Sequence, residues 1–235
     1  MNNAELEKTC LICGKPLIYI QTVQNAKCSG CGQSFMANAE CEDGHFICDV
    51  CHGAKSMPVI YCHCAHTEKR DPYAIASELM LHPTVHMHGP EHHVLIGSAL
   101  LAAYHNCGGE TDLPEALSIM RQRGSQVPGG ICGLWGNCGA GVSAGIFMSI
   151  ISASTPLAGR SWKLSNLMTS ECLKNIAEPG GPRCCKRDGF LAIQTAVSFV
   201  AKHCKIHMEL PSNLECHFSQ RNKECLKKQC PFFLE

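Results

Sequence analysis

Apolar residues recur at helical spacing in six segments that follow residue 70 of the chain. Asp71-Pro72 is a typical helix start, and Gly124 marks one of the helix ends. The expected helices span about residues 71–81, 90–106, 111–124, 140–151, 164–177 and 188–204. Before residue 67 the pattern instead predicts a short strand, Pro16–Val23, between cysteine pairs. The chain is therefore expected to be mainly α, with a small zinc-ribbon-like N-terminal unit followed by a helical domain of about six helices.

Two units are expected, residues 1–66 and 67–233, because the charged stretch from His66 to Pro72 reads as a linker. The closing dipeptide Leu234-Glu235 resembles a cloning scar from a purification tag and is left out of the predicted fold. The first eight residues are polar and acidic, which predicts that the protein has no signal peptide and is cytoplasmic.

One long stretch, Gly124–Gly159, carries no charged residue and resembles a membrane span at first sight. Glycines and prolines break it, however, and its continuous apolar part is only about Ala140–Ile151. A membrane helix needs about 20 apolar residues. The segment is therefore expected to form a buried core helix, and no membrane partner is predicted.

Charge and cysteine content narrow the function classes. Twenty acidic residues balance twenty Lys and Arg residues, so the formal net charge is zero and a nucleic-acid partner is not expected. The chain contains nineteen cysteines. Without a secretion signal, this number favours metal ligation in a reducing compartment over a disulfide framework.

Cysteine pairs of the C-x-x-C type dominate the N-terminal unit, and such turns place two thiolates on one metal ion. Zinc-ribbon spacing relates the residues of a first predicted zinc site, Cys10, Cys13, Cys28 and Cys31. A second site is expected from Cys41, His45, Cys48 and Cys51, with Cys62 and Cys64 as competing ligands. The spacing leaves the pairing open, and a cross-braced arrangement, in which alternate pairs share an ion, is the alternative. It also leaves open whether these metals only hold the fold or form a reactive centre with iron.

The stretch His82–His93 holds five of the thirteen histidines and is the strongest candidate site. Pro90 suits the first position of a helix, with Gly89 as its cap. The predicted catalytic or substrate-binding group is His88, Glu91, His92 and His93. A helix N-terminus favours the neutral form of histidine, which binds metals or accepts a proton. The alternative is that these histidines are solvated or simply hydrogen-bonded in the core.

A glycine-rich segment carries Cys132 and Cys138 in front of an apolar helix. At a helix mouth these thiols would have a lowered pKa and could bind metal or attack an electrophile. Both are therefore predicted as catalytic residues. The alternative is that the small residues only allow helices to pack closely.

Five further cysteines are predicted to bind a cofactor, either an iron–sulfur cluster or zinc: Cys184, Cys185, Cys216, Cys225 and Cys230. The cations Arg183, Lys186 and Arg187 flank the adjacent pair and would stabilise thiolates or an anionic substrate. The histidine stretch, Cys132, Cys138 and the adjacent pair are expected around one pocket. The tail cysteines would either cap that pocket, bind their own metal or only close the chain end.

Four motifs together resemble an uncharacterised cysteine-rich family of anaerobic bacteria and archaea. They are Met87-His-Gly-Pro-Glu-His-His93, the Cys132-Gly-Leu-Trp-Gly-Asn-Cys138-Gly-Ala segment, Cys184-Cys185 and the Cys-x8-Cys-x4-Cys-Pro tail. The resemblance covers about residues 40–233. Relatives are similar to domains found beside or fused to methyltransferase-like or radical-type enzymes, so the resemblance implies such an enzyme as a partner.

The leading hypothesis is a metalloenzyme or redox protein of an anaerobe, with structural zinc in the N-terminal unit and an iron–sulfur cluster or other metal in the helical domain. Its substrate would be a small anionic or sulfur-containing molecule. The alternative is a zinc-dependent accessory module that docks on a redox or methyltransferase-type enzyme without catalysis. The sequence places no constraint on the oligomeric state.

Overall fold

The computed structural model describes residues 10–234 of the chain, so the two terminal predictions cannot be followed fully. The acidic start and Glu235 of the expected tag scar lie outside the described residues. The described part contains the strands β1 (Leu17–Lys27) and β2 (Ser34–Cys41) and the helices α1 (Asp49–Gly53), α2 (Ser56–His66), α3 (Pro72–Leu81), α4 (His92–Asn106), α5 (Leu113–Gly124), α6 (Ile131–Leu134), α7 (Gly139–Ile151), α8 (Arg160–Ala177) and α9 (Cys185–Cys204). A 3-10 turn, Lys227–Gln229, follows in the tail.

The strands form one antiparallel hairpin in the N-terminal part of the protein. Its register pairs Leu17 with Cys41 at the open end and Lys27 with Ser34 at the turn, and an irregularity follows Tyr19. Nearly all residues of β1 are exposed or only partly buried. A two-stranded hairpin with no packed face is marginally stable in water, so this unit needs another source of stability.

Helix α4 lies at the centre of the helical core. Thirteen of its fifteen residues are buried, from His92 to Tyr104, because it contacts α2, α3, α5, α7 and α9. A helix that is apolar all round can be stable only when neighbours cover every face. The two histidines at its start are therefore held in the best-packed part of the molecule.

Helices α7 and α8 approach closely because Gly141 and Gly145 lack side chains. A Cβ atom at Gly145 would collide with Thr169 of α8, and one at Gly141 would crowd Leu173. The small-residue pattern thus serves helix packing within a protein core. Within residues 10–234, no helix is both long and apolar enough to cross a membrane.

The tail returns across α9 and is anchored by aromatic rings. Phe190 of α9 packs against Phe218 and Phe232, with ring centroids 6.5 and 5.7 Å apart, and against Tyr73 of α3 at 4.8 Å. The Cys216 amide donates to the Phe232 carbonyl over 2.7 Å. The two ends of the tail are therefore brought together over α9.

The prediction of a mainly α protein with a small N-terminal hairpin is confirmed, and six helices of ten or more residues follow residue 70. Helix α4 begins at His92 instead of Pro90, because residues 89–91 form a turn in which the Gly89 carbonyl accepts from the His92 amide. Helix α2 was not expected. It lies in the predicted N-terminal unit yet packs against α3, α4 and α5, and the boundary at residue 66 stays a prediction.

Candidate functional site

The first candidate metal group lies at the open end of the hairpin. The ligand atoms of Cys10, Cys13, Cys41 and His45 all lie within 4.8 Å of one another. The Cys13 and Cys41 sulfurs are 3.7 Å apart, and His45 Nδ1 is 3.4 Å from the Cys41 sulfur. A backbone amide, that of Ile12, donates to the Cys10 sulfur. Three thiols and one imidazole at this spacing could hold a metal ion.

The second group lies at the turn of the hairpin and at α1. It consists of four thiols, those of Cys28, Cys31, Cys48 and Cys51. The Cys31 and Cys48 sulfurs are 4.0 Å apart, and the amides of Gly30 and Cys48 donate to the Cys28 sulfur. This group too could hold a metal ion.

The two groups are cross-braced, because the first and third pairs share one group and the second and fourth share the other. The expectation that Cys10, Cys13, Cys28 and Cys31 share one ion is therefore wrong, and the alternative pairing is the observed one. Strand β1 is the reason. Its eleven residues, at about 3.3 Å each, separate the first and second pairs by roughly 30 Å.

The thiols of one group cannot all ionise at neutral pH without a cation between them. Burial would raise the pKa of Cys28, but backbone amides that donate to its sulfur lower it to about 6. Burial would likewise raise the pKa of Cys41, but donating backbone amides lower it to about 7. Hydrogen bonding with Cys48 then raises the pKa of Cys51 to about 12. Only a positive ion would let all members of one group ionise at neutral pH.

The competing ligands Cys62 and Cys64 lie on α2, and neither belongs to a candidate metal group among residues 10–234. Cys64 is fully buried in the helical core, where burial raises the pKa of its thiol. Cys62 is exposed, with its sulfur 3.9 Å from His66. Because both residues lie on α2, they do not join the metal groups at the hairpin.

The carboxylate of Glu91 joins the N-terminal unit to the helical core. It is completely buried, and its two oxygens lie 3.0 Å from His52 Nδ1 and 3.1 Å from His86 Nδ1. The His86 amide donates to it as well. A side chain at Gly89 would collide with Glu91 and His52, so glycine is needed there.

Burial would raise the pKa of Glu91, but hydrogen bonds from His52 and His86 and the nearby His92 hold it well below its usual value. The three residues His52, His86 and Glu91 also form a third group that could hold a metal ion. Sequence reasoning missed His52. Its position directly after Cys51 was the available signal, because a metal-held turn projects the next side chain rigidly.

His92 is a positioning residue for a buried lysine. Its Nδ1 donates to the Gly89 carbonyl, so its Nε2 carries the lone pair and accepts from Lys186 Nζ over 2.9 Å. The ammonium also donates to the His86 carbonyl and lies over the Phe218 ring. Burial and the charge of Lys186 lower the pKa of His92 well below its usual value.

His88 and His93 are neutral, with a lone pair available to a ligand. His88 Nε2 donates to the Asn222 side-chain oxygen, which leaves its buried Nδ1 without a partner in the described structure. His93 Nδ1 donates to the Val127 carbonyl, and its Nε2 borders Gly139. Burial lowers the pKa of His93 and, with the charge of Arg183, that of His88 to about 4.

These side chains border a cavity of about 780 Å³ between the N-terminal unit and the helical part. Its lining includes residues from the hairpin unit, the histidine stretch, the glycine-rich segment and the tail, among them Tyr19, His52, His86, His88, His92, His93, Cys132, Cys138, Arg183, Cys185 and Asp188. The expected pocket is therefore present for Cys132, Cys138 and Cys185, but Cys184 does not line it.

The cavity thiols of Cys138 and Cys185 are not the activated thiols that the sequence suggested. Burial and the charge of Asp188 raise the pKa of Cys138, whose sulfur lies 3.8 Å from that carboxylate. Burial raises the pKa of Cys185 to about 12 and also raises that of Cys184, in spite of the flanking cations. For Cys138, Cys184 and Cys185 the expectation of a lowered pKa is wrong, because loss of hydration outweighs the helix N-terminus and the neighbouring charges.

The other predicted cofactor ligands lie on the opposite side of Asn222. Its amide nitrogen donates to the Cys184 sulfur over 3.4 Å, and Cys184 caps α9 by accepting from the Arg187 amide. Cys216, Cys225 and Cys230 follow in the tail that covers this helix end. Asn222 was missed by sequence reasoning, because nothing in its local pattern distinguishes it from a surface asparagine.

The chain matches the model of DUF5714, a family of unknown function, over residues 60–233, and it belongs to that family. No curated protein and no solved structure matches it. The expected relationship to an uncharacterised family is thus confirmed in its general form. The matched region contains the histidine stretch, the cavity cysteines and the tail, whereas both four-residue metal groups precede it.

We expect Glu91→Ala to lower the free energy of unfolding by about 3 kcal/mol, because it leaves two partly buried histidines and the His86 amide without their acceptor. Glu78→Ala is the matched control. It removes an exposed carboxylate that faces Lys69 and His63, and it should cost less than about 1 kcal/mol. Denaturant unfolding at pH 7 measures both. Equal losses would contradict the central role of Glu91.

We expect acid to weaken the fold partly through His88. The pKa of His88 is lowered to about 4 in the folded protein. Below about pH 6.5 this imidazole therefore takes up a proton in the unfolded chain that it does not take up in the folded one. Stability should therefore fall from pH 7 to pH 5 by about 1–2 kcal/mol more in the wild type than in His88→Gln. Parallel pH profiles of the two proteins would show that His88 is not held neutral.

Proposed function

We propose that this DUF5714 protein is a metalloenzyme or redox protein whose cavity binds a small anionic or sulfur-containing molecule. Two structural zinc ions would hold the N-terminal unit over the cavity, and an iron–sulfur centre would lie in the helical part. The observation that carries the proposal is the cavity itself. One wall comes from the cross-braced unit, and the other is lined by the thiols of Cys132, Cys138 and Cys185 and by histidines of the histidine stretch.

Zinc suits the two cross-braced groups in chemistry and in size. Tetrahedral zinc with Zn–S bonds of about 2.3 Å places its sulfur ligands about 3.8 Å apart. The observed sulfur pairs at 3.7 and 4.0 Å agree with that spacing. No residue of β1 is buried in a core, and metal binding would supply the missing folding free energy.

The cavity offers one well-placed cation. Arg183 lies over the Tyr19 ring, 5.5 Å from its centroid. Burial opposes a higher pKa, but the charges of Tyr19, Cys185 and Cys132 raise that of the guanidinium, so it lies close to two cavity thiols. The acidic residues Asp49 and Asp188 are already engaged, the first by the Gly129 amide and the second by Arg187. The arrangement favours a small anion that makes contact with thiols.

The histidines can then act on a bound molecule without adding charge. Nε2 of His93 carries a lone pair and His93 lines the cavity, so it would accept a hydrogen bond or a proton from the ligand. Lys186 and His92 would keep the start of α4 in place. In this account Glu91 is a positioning residue, because both of its oxygens are taken by histidines.

Some surfaces of the N-terminal unit favour a second candidate, an accessory module that docks on a redox or methyltransferase-type enzyme. Large apolar side chains are unusually exposed there: Ile12 by 52%, Ile18 by 46%, Val23 by 49%, Met36 by 67% and Val50 by 70%. Clustered exposed apolar residues mark protein-binding surfaces. This candidate predicts that the cavity has no affinity for small molecules.

The zinc part is tested by two double variants analysed for metal content. Cys10→Ser with Cys28→Ser should lose both zinc ions, because the two residues belong to different cross-braced groups. Cys28→Ser with Cys48→Ser should lose only one, because they share a group. The opposite result would be expected from sequential pairing and would contradict the cross-brace.

The cavity part is tested by calorimetric titration without oxygen, with thiosulfate, L-cysteine and inorganic phosphate as probes. At least one probe should bind the wild type, and Arg183→Ala should weaken that binding about tenfold or more through loss of a charge-assisted hydrogen bond. Arg160→Ala, at an exposed position that begins α8, should bind like the wild type. No binding of any probe would reject the enzyme reading and leave the accessory module.

A further inference from the structure

Four cysteines converge where the tail covers the start of α9. Asn222 contacts the Cys184 sulfur, and its carbonyl accepts from the Cys225 amide. The Cys216 amide donates to Phe232, next but one to Cys230. The backbone therefore brings three tail thiols around the cysteine that caps α9.

Electrostatic proximity agrees with this arrangement. Burial raises the pKa of Cys216 to about 11, and the charges of Cys184, Cys230 and Cys225 each add to the rise. All four thiols thus lie close enough to repel one another when ionised. Such a set is costly to assemble without a cation or cluster between its members.

Each of the four sulfurs accepts a backbone hydrogen bond from a residue two or three positions later. The donors are the amides of Arg187 to Cys184 at 3.5 Å, Phe218 to Cys216, Lys227 to Cys225 at 3.3 Å and Phe232 to Cys230. In the two cross-braced groups, the sulfurs of Cys10 and Cys28 accept in the same manner from the amides of Ile12 and Gly30. The tail cysteines therefore have the local geometry of metal-binding thiolates.

A buried guanidinium faces this set with one nitrogen unused. Arg187 is 3% exposed and bonds Asp188 through Nε and the Pro182 carbonyl through Nη2. Its Nη1 is buried and has no partner among residues 10–234. Burial raises the pKa of Cys184 and of Cys230, and the charge of Arg187 opposes that rise at both thiols. The unused donor is thus close to two of the four sulfurs.

The distances between sulfurs distinguish this set from the two cross-braced groups. Among the described residues, no three of the four sulfurs lie within 4.8 Å of one another, whereas the ligand atoms of both cross-braced groups do. One tetrahedral zinc ion needs sulfurs about 3.8 Å apart. Four cysteines of which no three bring their sulfurs within that distance suit a cluster of several iron and sulfide ions, which also carries the negative charge that a buried guanidinium can pair with.

We propose that Cys184, Cys216, Cys225 and Cys230 hold a four-iron, four-sulfide cluster, with Arg187 Nη1 donating a hydrogen bond to it. The inference deepens the proposed function by naming the ligands of its iron–sulfur centre. Asn222 connects this centre to the cavity, because its nitrogen donates to Cys184 and its oxygen accepts from His88 Nε2. One side chain therefore separates the cluster from a histidine that borders the ligand site.

The test is the iron, acid-labile sulfide and zinc content of the full chain purified without oxygen. The wild type should contain about four iron and four sulfide ions in addition to two zinc ions. Cys216→Ala and Cys225→Ala should lose more than four fifths of the iron and keep both zinc ions. Cys204→Ala, a partly buried thiol at the end of α9, and Cys185→Ala, which faces the cavity, should keep the iron.

Zinc content and the far-ultraviolet circular dichroism of each variant separate loss of ligands from loss of fold. Should the alanine variants unfold, the wild type alone decides, since a third zinc ion without iron would overturn the cluster. Iron that survives in Cys216→Ala would overturn it too. Iron that both alanine variants keep would reject this ligand set only and leave the iron–sulfur centre of the proposed function to other cysteines. Probe binding without any iron would reject the cluster but not the cavity function, and iron without probe binding would reject the cavity function only.

Arg187→Lys and Arg187→Gln give a readout that a purely structural arginine would not. Both variants should keep the iron, but the cluster of Arg187→Gln should have a lower reduction potential than that of the wild type, because a positive charge beside it is lost. Arg187→Lys keeps the charge and should lie nearer to the wild type. Identical potentials in all three proteins would show that Arg187 does not contact a cluster.

Discussion

A carboxylate buried without partners costs several kcal/mol, and Glu91 is shielded completely from solvent. Its burial is tolerated because His52 comes from the metal-binding unit and His86 from the histidine stretch, each to one oxygen. The same residue immediately precedes α4. The position of the N-terminal unit, the conformation of residues 86–91 and the start of the central helix all depend on this one set of contacts.

The cavity follows from that constraint. With Glu91 occupied, the neighbouring histidines are left to hydrogen-bond backbone carbonyls, Asn222 and Lys186, and burial keeps them neutral. The cavity thiols of Cys138 and Cys185 are held protonated by the same loss of hydration. The site is thus rich in protonated thiols and neutral imidazoles. Binding of a small anion there would depend on Arg183.

The helices could be predicted because their apolar periodicity and capping residues are local, as at Asp71, whose side chain accepts from the Tyr73 amide. The cavity cysteines and histidines were also identified by residue type. Their protonation states could not be predicted, because the raised pKa of Cys138 comes from burial and from the charge of Asp188, which is far away in the chain. The metal pairing depends on the length of β1, and the contact of His52 with Glu91 depends on how the units dock.

X-ray absorption at the zinc and iron edges of one oxygen-free sample tests the central claim, that sulfur-bound metals frame this cavity. The account predicts seven sulfurs and one nitrogen shared by two zinc ions, with Zn–S distances of about 2.3 Å. At the iron edge it predicts sulfur ligands and neighbouring iron atoms. Zinc bound mainly by oxygen, or a sample without iron, would contradict the account.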